Sequence, residues 1–234
     1  MPKQLLVRAA ARNNAEWCAA MSRSHGVTGG FEAQAWAAAA RTPPYYPDAV
    51  TLVPGADPDA LAARIDTTTP GASVKDSFAD VDLTGAGYRV LFDAQWIHRP
   101  AGAPTRAPDL GWDVADDWDA LRAWALARDH EGGAADLFRP ELLDDPGTFV
   151  LAGHASDGRV VTGAVASRGD HVVGVSNVFA RDGGPDVAWP VALGAVHRLF
   201  PTLPVVGYEH GDDLKAAVRQ GFEPVGPLRI WLHG

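Results

Sequence analysis

Apolar residues recur along the chain with two periods, and the period changes several times. Ala15, Trp17, Cys18, Ala20 and Met21 fall at helical spacing; Asn13 or Asn14 can cap that helix, and Gly26 can end it after His25. Phe31–Arg41 is alanine-rich and predicts a second helix, stopped by Pro43-Pro44. The β-branched run Ala49–Val53 predicts a strand. Asp57-Pro58 then opens a short helix with Ala60, Leu61 and Ile65 on its apolar face. Thr67–Ser73 is turn-like, Ser77–Leu83 alternates weakly, and Gly87–Ile97 predicts a long strand.

The pattern breaks at His98–Asp109, where Pro100, Gly102, Pro104 and Pro108 sit among few apolar residues. The expected organisation is therefore an N-terminal α/β lobe over 1–99, a linker over 100–109 and a second domain over 110–234. That second part starts with a short strand at Gly111–Val114 and a helix capped by Asp116-Asp117, carrying Leu121, Trp124, Ala125 and Arg128 at helical spacing. Another helix is expected around Ala134–Leu143. Strands at 148–153, 158–166 and 171–179 follow, joined by turns at Asp157-Gly158 and Gly169-Asp170. After the glycine-bearing turn Arg181–Pro185 come a helix over Val187–Phe200, a strand at Leu203–Tyr208 and a helix ending at Gly221-Phe222. A strand pair, Phe222–Val225 and Leu228–Leu232, closes the chain. A strand feeding a glycine turn and a helix presents backbone N–H groups to an anion.

Composition narrows the classes. With 234 residues, 47% of them hydrophobic, the chain can build one large core or two small ones. Its net charge of −9 and lack of a basic stripe argue against a nucleic-acid partner, while leaving room for a local positive pocket for a phosphorylated cofactor. One cysteine, Cys18, excludes an intrachain disulfide and points to a reducing cytoplasm. Met1–Arg8 lacks the apolar core of a signal peptide, and no apolar run approaches the roughly 20 residues of a membrane span. Eight scattered histidines show no metal-ligand spacing, so no metal is expected. Most of the eight tryptophans belong in core packing.

The order of elements after Gly111 resembles the GNAT acyltransferase superfamily: two helices, an antiparallel three-strand meander, a helix, a parallel strand, a helix and a terminal strand pair. Gly207–Gly226 carries the strongest likeness, to the family's strand, Asn-x-x-Ala helix, Gly-Phe and strand, with Asp213 near the Asn position and Gly221-Phe222 at the Gly-Phe. The resemblance implies an α/β (α+β) fold, a mixed central sheet flanked by helices, and covers Gly111–His233. It also implies acetyl-CoA or another acyl-CoA as cosubstrate and N-acyl transfer to a small amine by direct attack on the thioester. In that reading the backbone of Val178, Phe179 and Ala180 holds the pantetheine arm, and Gly183, Gly184 and Ala188 belong to the pyrophosphate loop. Against the family's usual Gln/Arg-x-x-Gly-x-Gly/Ala loop, one register sets Gly183, Asp186 and Ala188 at the three positions and matches only at Ala188, while the other, Arg181, Gly184 and Asp186, matches at two and fails at Asp186. In the first lobe, Gly87-Tyr88 leading to Trp96-Ile97-His98 resembles Gly221-Phe222 leading to Ile230–His233, which would make that lobe an eroded GNAT-like copy.

A carboxylate or histidine at the end of the fifth strand of such a fold can take the acceptor's proton, which singles out Tyr208, Glu209 and His210. The plainer reading leaves Glu209 and His210 as solvated loop residues before a helix capped by Asp212 or Asp213. Ser176 and Asn177, polar within an apolar strand, either line the cleft or bond the neighbouring strand. Lys75 and the Pro43–Pro47 segment are the least generic features of the first lobe and could shape an acceptor pocket. Two other function classes stay open. One is a non-catalytic GNAT-like binding or interaction module, favoured by Asp186 near the pyrophosphate position and by Ala217 or Val218 where the family's general-acid tyrosine stands. The other is a Cys18-dependent transferase, although Cys18 and His25 lie about two helical turns apart, too far to touch, and a buried structural thiol is the plainer reading. The expected partners are a small amine, with a homodimer left open, and neither nucleic acid nor membrane.

Overall fold

The computed structural model describes residues 2–103, 110–129 and 135–234. The chain divides into two compact units, Met1–Trp96 with Val225–Gly234, and Ile97–Pro224. Among the described residues no helix is long and apolar enough to cross a membrane.

The first unit opens with α1 (Lys3–Ser24), which starts at Pro2 rather than at Asn13 or Asn14. Leu6, Val7, Ala10 and Ala11 extend the buried stripe of Ala15 and Cys18 two turns upstream of the expected cap, so the helix continues through both asparagines. Its C-terminus forms as expected: Val27 N–H donates to Ser22 O, Gly26 N–H to Arg23 O, and Gly26 takes φ 76°.

Strands β1 (Gly29–Phe31), β2 (Ala35–Ala38) and β3 (Ala49–Thr51) form an antiparallel meander. The expected helix over Phe31–Arg41 is thus replaced by β2 and its flanks. Every residue of β2 is buried and Trp36 is wholly enclosed, so pairing on both edges outweighs the helix propensity of the alanines. A short α2 (Pro58–Ala62) follows, capped by Asp57, whose carboxylate accepts from the Asp59 and Ala60 amides; Leu61 is buried and Ala60 exposed. Next comes β4 (Ser73–Asp76), parallel to β3. Lys75, expected in a polar turn, lies in this strand at 3% exposure and donates to Asn14 Oδ1 at 2.6 Å. A 3₁₀ turn at Thr84–Ala86 ends at Gly87, φ 83°, and leads into β5 (Tyr88–Arg99). The chain's last strand, Glu223–His233, pairs antiparallel with β4, setting Arg229 opposite Asp76 and Trp231 opposite Val74. Leu83, Tyr88, Val74 and Trp231 meet in this unit's core.

The second unit takes over at Ile97. Of the expected linker, 104–109 lies outside the described residues. Strand β6 (Gly111–Val114) precedes α3 (Trp118–Arg128), whose cap is Asp117, accepting from the Ala120 amide. The helix expected around Ala134–Leu143 begins outside the described residues and otherwise appears as two 3₁₀ turns, Ala135–Leu137 and Pro140–Asp144, with Pro140 opening the second. Strands β7 (Thr148–His154), β8 (Val160–Arg168) and β9 (Val173–Ala180) form the second meander, antiparallel throughout. Helix α4 (Gly184–Leu199) crosses to β10 (Val205–Glu209), parallel to β9, and α5 (Gly211–Arg219) follows. Then comes the last strand, β11 (Glu223–His233), one strand where a pair was expected. Trp189, Leu193, Val196, Val173, Val205 and Phe222 bind these layers into the core.

The two halves share one order of elements: meander, helix, parallel strand, helical turn, left-handed glycine, long strand. Gly87 (φ 83°) and Gly221 (φ 86°) hold equivalent places. The strand following Gly221 nevertheless completes the first unit's sheet beside β4, and Ile97 of β5 lies against Gly207 of β10 in the second.

Candidate functional site

The site is built where β9 leaves its neighbours. Between β8 and β9 the register slips: Val165 faces Ser176, but Gly163 faces Phe179, so β9 carries one extra residue. Asn177 takes φ 54° there, a conformation asparagine tolerates better than most side chains, and its Nδ2 donates to Ser176 Oγ. The polar pair in this apolar strand therefore makes a β-bulge. The Thr162 hydroxyl, buried, donates to Phe179 O at 2.6 Å and pins the far side of the bulge. Gly163 leaves space for Trp124, whose indole N–H donates to Leu151 O and whose ring meets Phe138 and Phe179 edge-on.

On its other side β9 pairs with β10 at only two positions, Val205 with Val173 and Val206 with Gly174. Gly207 still passes close to Val175 O. Beyond it β9 runs on to Ala180 and β10 to Glu209 without a ladder between them. The half-buried backbone of Val178, Phe179 and Ala180 thus borders an opening, and Tyr208 and Glu209, also half-buried, end the strand on its other side. Burial, with a smaller contribution from the Asp213 carboxylate, pushes the Glu209 carboxyl up to about 8. His210 is exposed and holds the N-cap position of α5 without a side-chain cap. Asp212 and Asp213 fall in the first turn instead of capping it, and Asp212 pairs with Lys215.

At the start of α4, Gly183 (φ 87°) and Gly184 (φ 63°) turn the chain, and no side chain caps the helix. Its first backbone N–H groups have no intrahelical acceptor. The Asp186 carboxylate does not cap them; it is held by Arg219 of α5 in a two-pronged pair of 2.9 and 2.8 Å. Ala188 is wholly buried in the first turns of this helix.

No family model matches the sequence, and no curated protein matches it. Solved structures do match. A GCN5-related N-acetyltransferase from Kribbella flavida aligns with TM-score 0.63 at 17% identity, over 96% of this chain and 95% of that one. An acetyltransferase described as putative and of the GNAT family, from Novosphingobium aromaticivorans, aligns with TM-score 0.57 at 12% identity, over 93% and 95%. A functionally unknown conserved protein from Staphylococcus epidermidis aligns with TM-score 0.55 at 12% identity, over 71% and 73%. The chain has the GNAT fold. The likeness to the first two spans nearly the whole chain, wider than the Gly111–His233 stretch legible in the sequence.

Within this GNAT fold, Cys18 lies far down the list of reactive groups. It is 1% exposed, and burial raises its thiol pKa, the reverse of an activated cysteine. Ala217 is buried and Val218 exposed. Among the described residues no group of three or more His, Cys, Asp or Glu could hold a metal. Sequence reasoning missed Thr162, Arg219 and Trp124. Each acts across a strand or helix boundary: Thr162 on Phe179, Arg219 on Asp186, Trp124 on Leu151. No local motif announces such partners.

Proposed function

We propose that the protein is an acyl-CoA-dependent N-acyltransferase acting on a small amine. The observation that carries this reading is the opening between β9 and β10, with Glu209 at its end. The residues present fit the cosubstrate. The unladdered side of Val178–Ala180 offers backbone N–H and C=O groups to a pantetheine arm, and the uncapped start of α4 at Gly183-Gly184 offers amides to a pyrophosphate. The carboxylate of Asp186, which would repel that anion, is neutralised by Arg219. Bound acyl-CoA would supply the activated acyl group.

The chain's own part is proton handling and positioning. An alkylamine near pKa 10 arrives as an ammonium ion and must lose a proton before it can attack. A carboxylate raised to about 8 accepts that proton far more readily than an ordinary one. Glu209 is therefore assigned as general base, with exposed His210 passing the proton to solvent and Tyr208 lining the opening. The absence of a tyrosine at Ala217 or Val218 favours one other reading, a CoA-binding module without turnover. Calorimetry with acetyl-CoA, followed by thiol release across a panel of small amines, separates the cases. Binding with thiol release is expected. Binding without release across the panel selects the module, and no binding at millimolar acetyl-CoA overturns both.

A further inference from the structure

Two features at the start of α4 work against an anion. In Gly183-Gly184-Pro185-Asp186 the proline has no amide proton to give, and the aspartate brings a negative charge into the first turn. An acidic side chain in this turn can reach back to the free amides, where it would take the place of an incoming phosphate. Here it is turned elsewhere. The two Asp186 oxygens accept from Nε and Nη2 of Arg219 at 2.9 and 2.8 Å, a geometry that fixes the carboxylate in direction as well as in charge. Arg219 ends α5, 33 residues further on, and both helices belong to the second unit. Arg181 and Asp182 add one charge of each sign beside the same turn. With Arg219 these charges balance; without it the turn is left negative.

We infer that Arg219 is a positioning residue for the acyl donor and acts through Asp186: it holds that carboxylate aside and leaves the α4 amides to the pyrophosphate of acyl-CoA. The inference rests on the acyltransferase reading above. The guanidinium works at one remove, with its Nε and Nη2 committed to Asp186 and no contact with the phosphates. The pair lies half in water, its side chains 54% and 56% exposed, so its worth as a clip between two helices is small. Its effect on the charge beside the amides is the larger one. A bare carboxylate within a helical turn of a bound pyrophosphate, in partly screened surroundings, lowers affinity by about tenfold.

Isothermal titration calorimetry of the full chain with free CoA tests this without any turnover. Arg219→Gln leaves the Asp186 carboxylate bare and should weaken CoA binding by about tenfold, with an unchanged thermal melt. The double variant Asp186→Asn, Arg219→Gln also lacks the clip but has lost the charge, and should bind within about twofold of the parent. That rescue separates charge from structure, because the pair is absent from both variants. Arg219→Gln binding CoA as tightly as the parent overturns the inference. So does a double variant as weak as Arg219→Gln, since Arg219 would then act on the phosphates itself or as a clip. A parent chain that binds no CoA overturns the acyltransferase reading, and this inference with it.

Discussion

Glu209 shows how one residue's chemistry is set by what surrounds it. Its ordinary pKa of 4.5 rises to about 8 chiefly because it is withdrawn from water, with Asp213 adding repulsion. If it is the base, kcat should climb with pH up to a limb near 8. Glu209→Gln should flatten that limb and lower the rate by roughly 10²–10⁴-fold, measurable in a thiol-release assay. Asp213→Asn removes only the like charge, and the limb should move to lower pH with little loss at its plateau. The same shift has a stability consequence of definite sign. Between pH 4.5 and about 8 the unfolded chain has lost a proton that the folded chain keeps, so stability falls as pH rises through this window and levels off above it. The melting temperature of Glu209→Gln should therefore gain on the parent as pH is raised, as differential scanning calorimetry would show. The glutamate itself was legible in the sequence. Its altered acidity was not, because burial and the approach of Asp213 exist only in the folded chain.

At the scale of elements, the deciding device is the bulge in β9. Thr162 anchors it by one buried hydrogen bond to Phe179 O. Thr162→Val removes the donor, keeps the shape and leaves that carbonyl short of a partner. A loss of about 1–3 kcal/mol in urea unfolding is expected, together with a higher KM for the acyl donor as the bulge relaxes. The caps at Asp57 and Asp117, the turn at Gly26 and the strand run of β3 could be read from sequence because each is a local matter of one side chain or one backbone angle. β2 could not: alanine suits a helix, and only Trp36 enclosed between two paired neighbours makes it a strand. The Asp186–Arg219 pair escaped for a related reason. Its members stand 33 residues apart, on two helices whose contact no local pattern encodes.

For the whole molecule, the repeat of elements was visible in the sequence only as the faint likeness of Gly87-Tyr88 to Gly221-Phe222. The placing of β11 was not visible at all, since strand pattern says nothing about which sheet receives the strand. Leu228, Ile230 and Trp231 are all buried, and β11 pairs with β4 along Arg229–Leu232. Removing Val225–Gly234 should accordingly unfold the first unit far from the cut, with loss of slow hydrogen exchange in β4 and across α1, while a truncation that preserved protection there would contradict this role.

Synthesis on a ribosome gives that strand a temporal meaning. Residues 1–96 emerge first, yet the sheet they belong to stays one strand short until the final ten residues appear. At about 5–20 residues per second the wait is on the order of ten seconds. Throughout it, β4 offers an open edge to whatever passes.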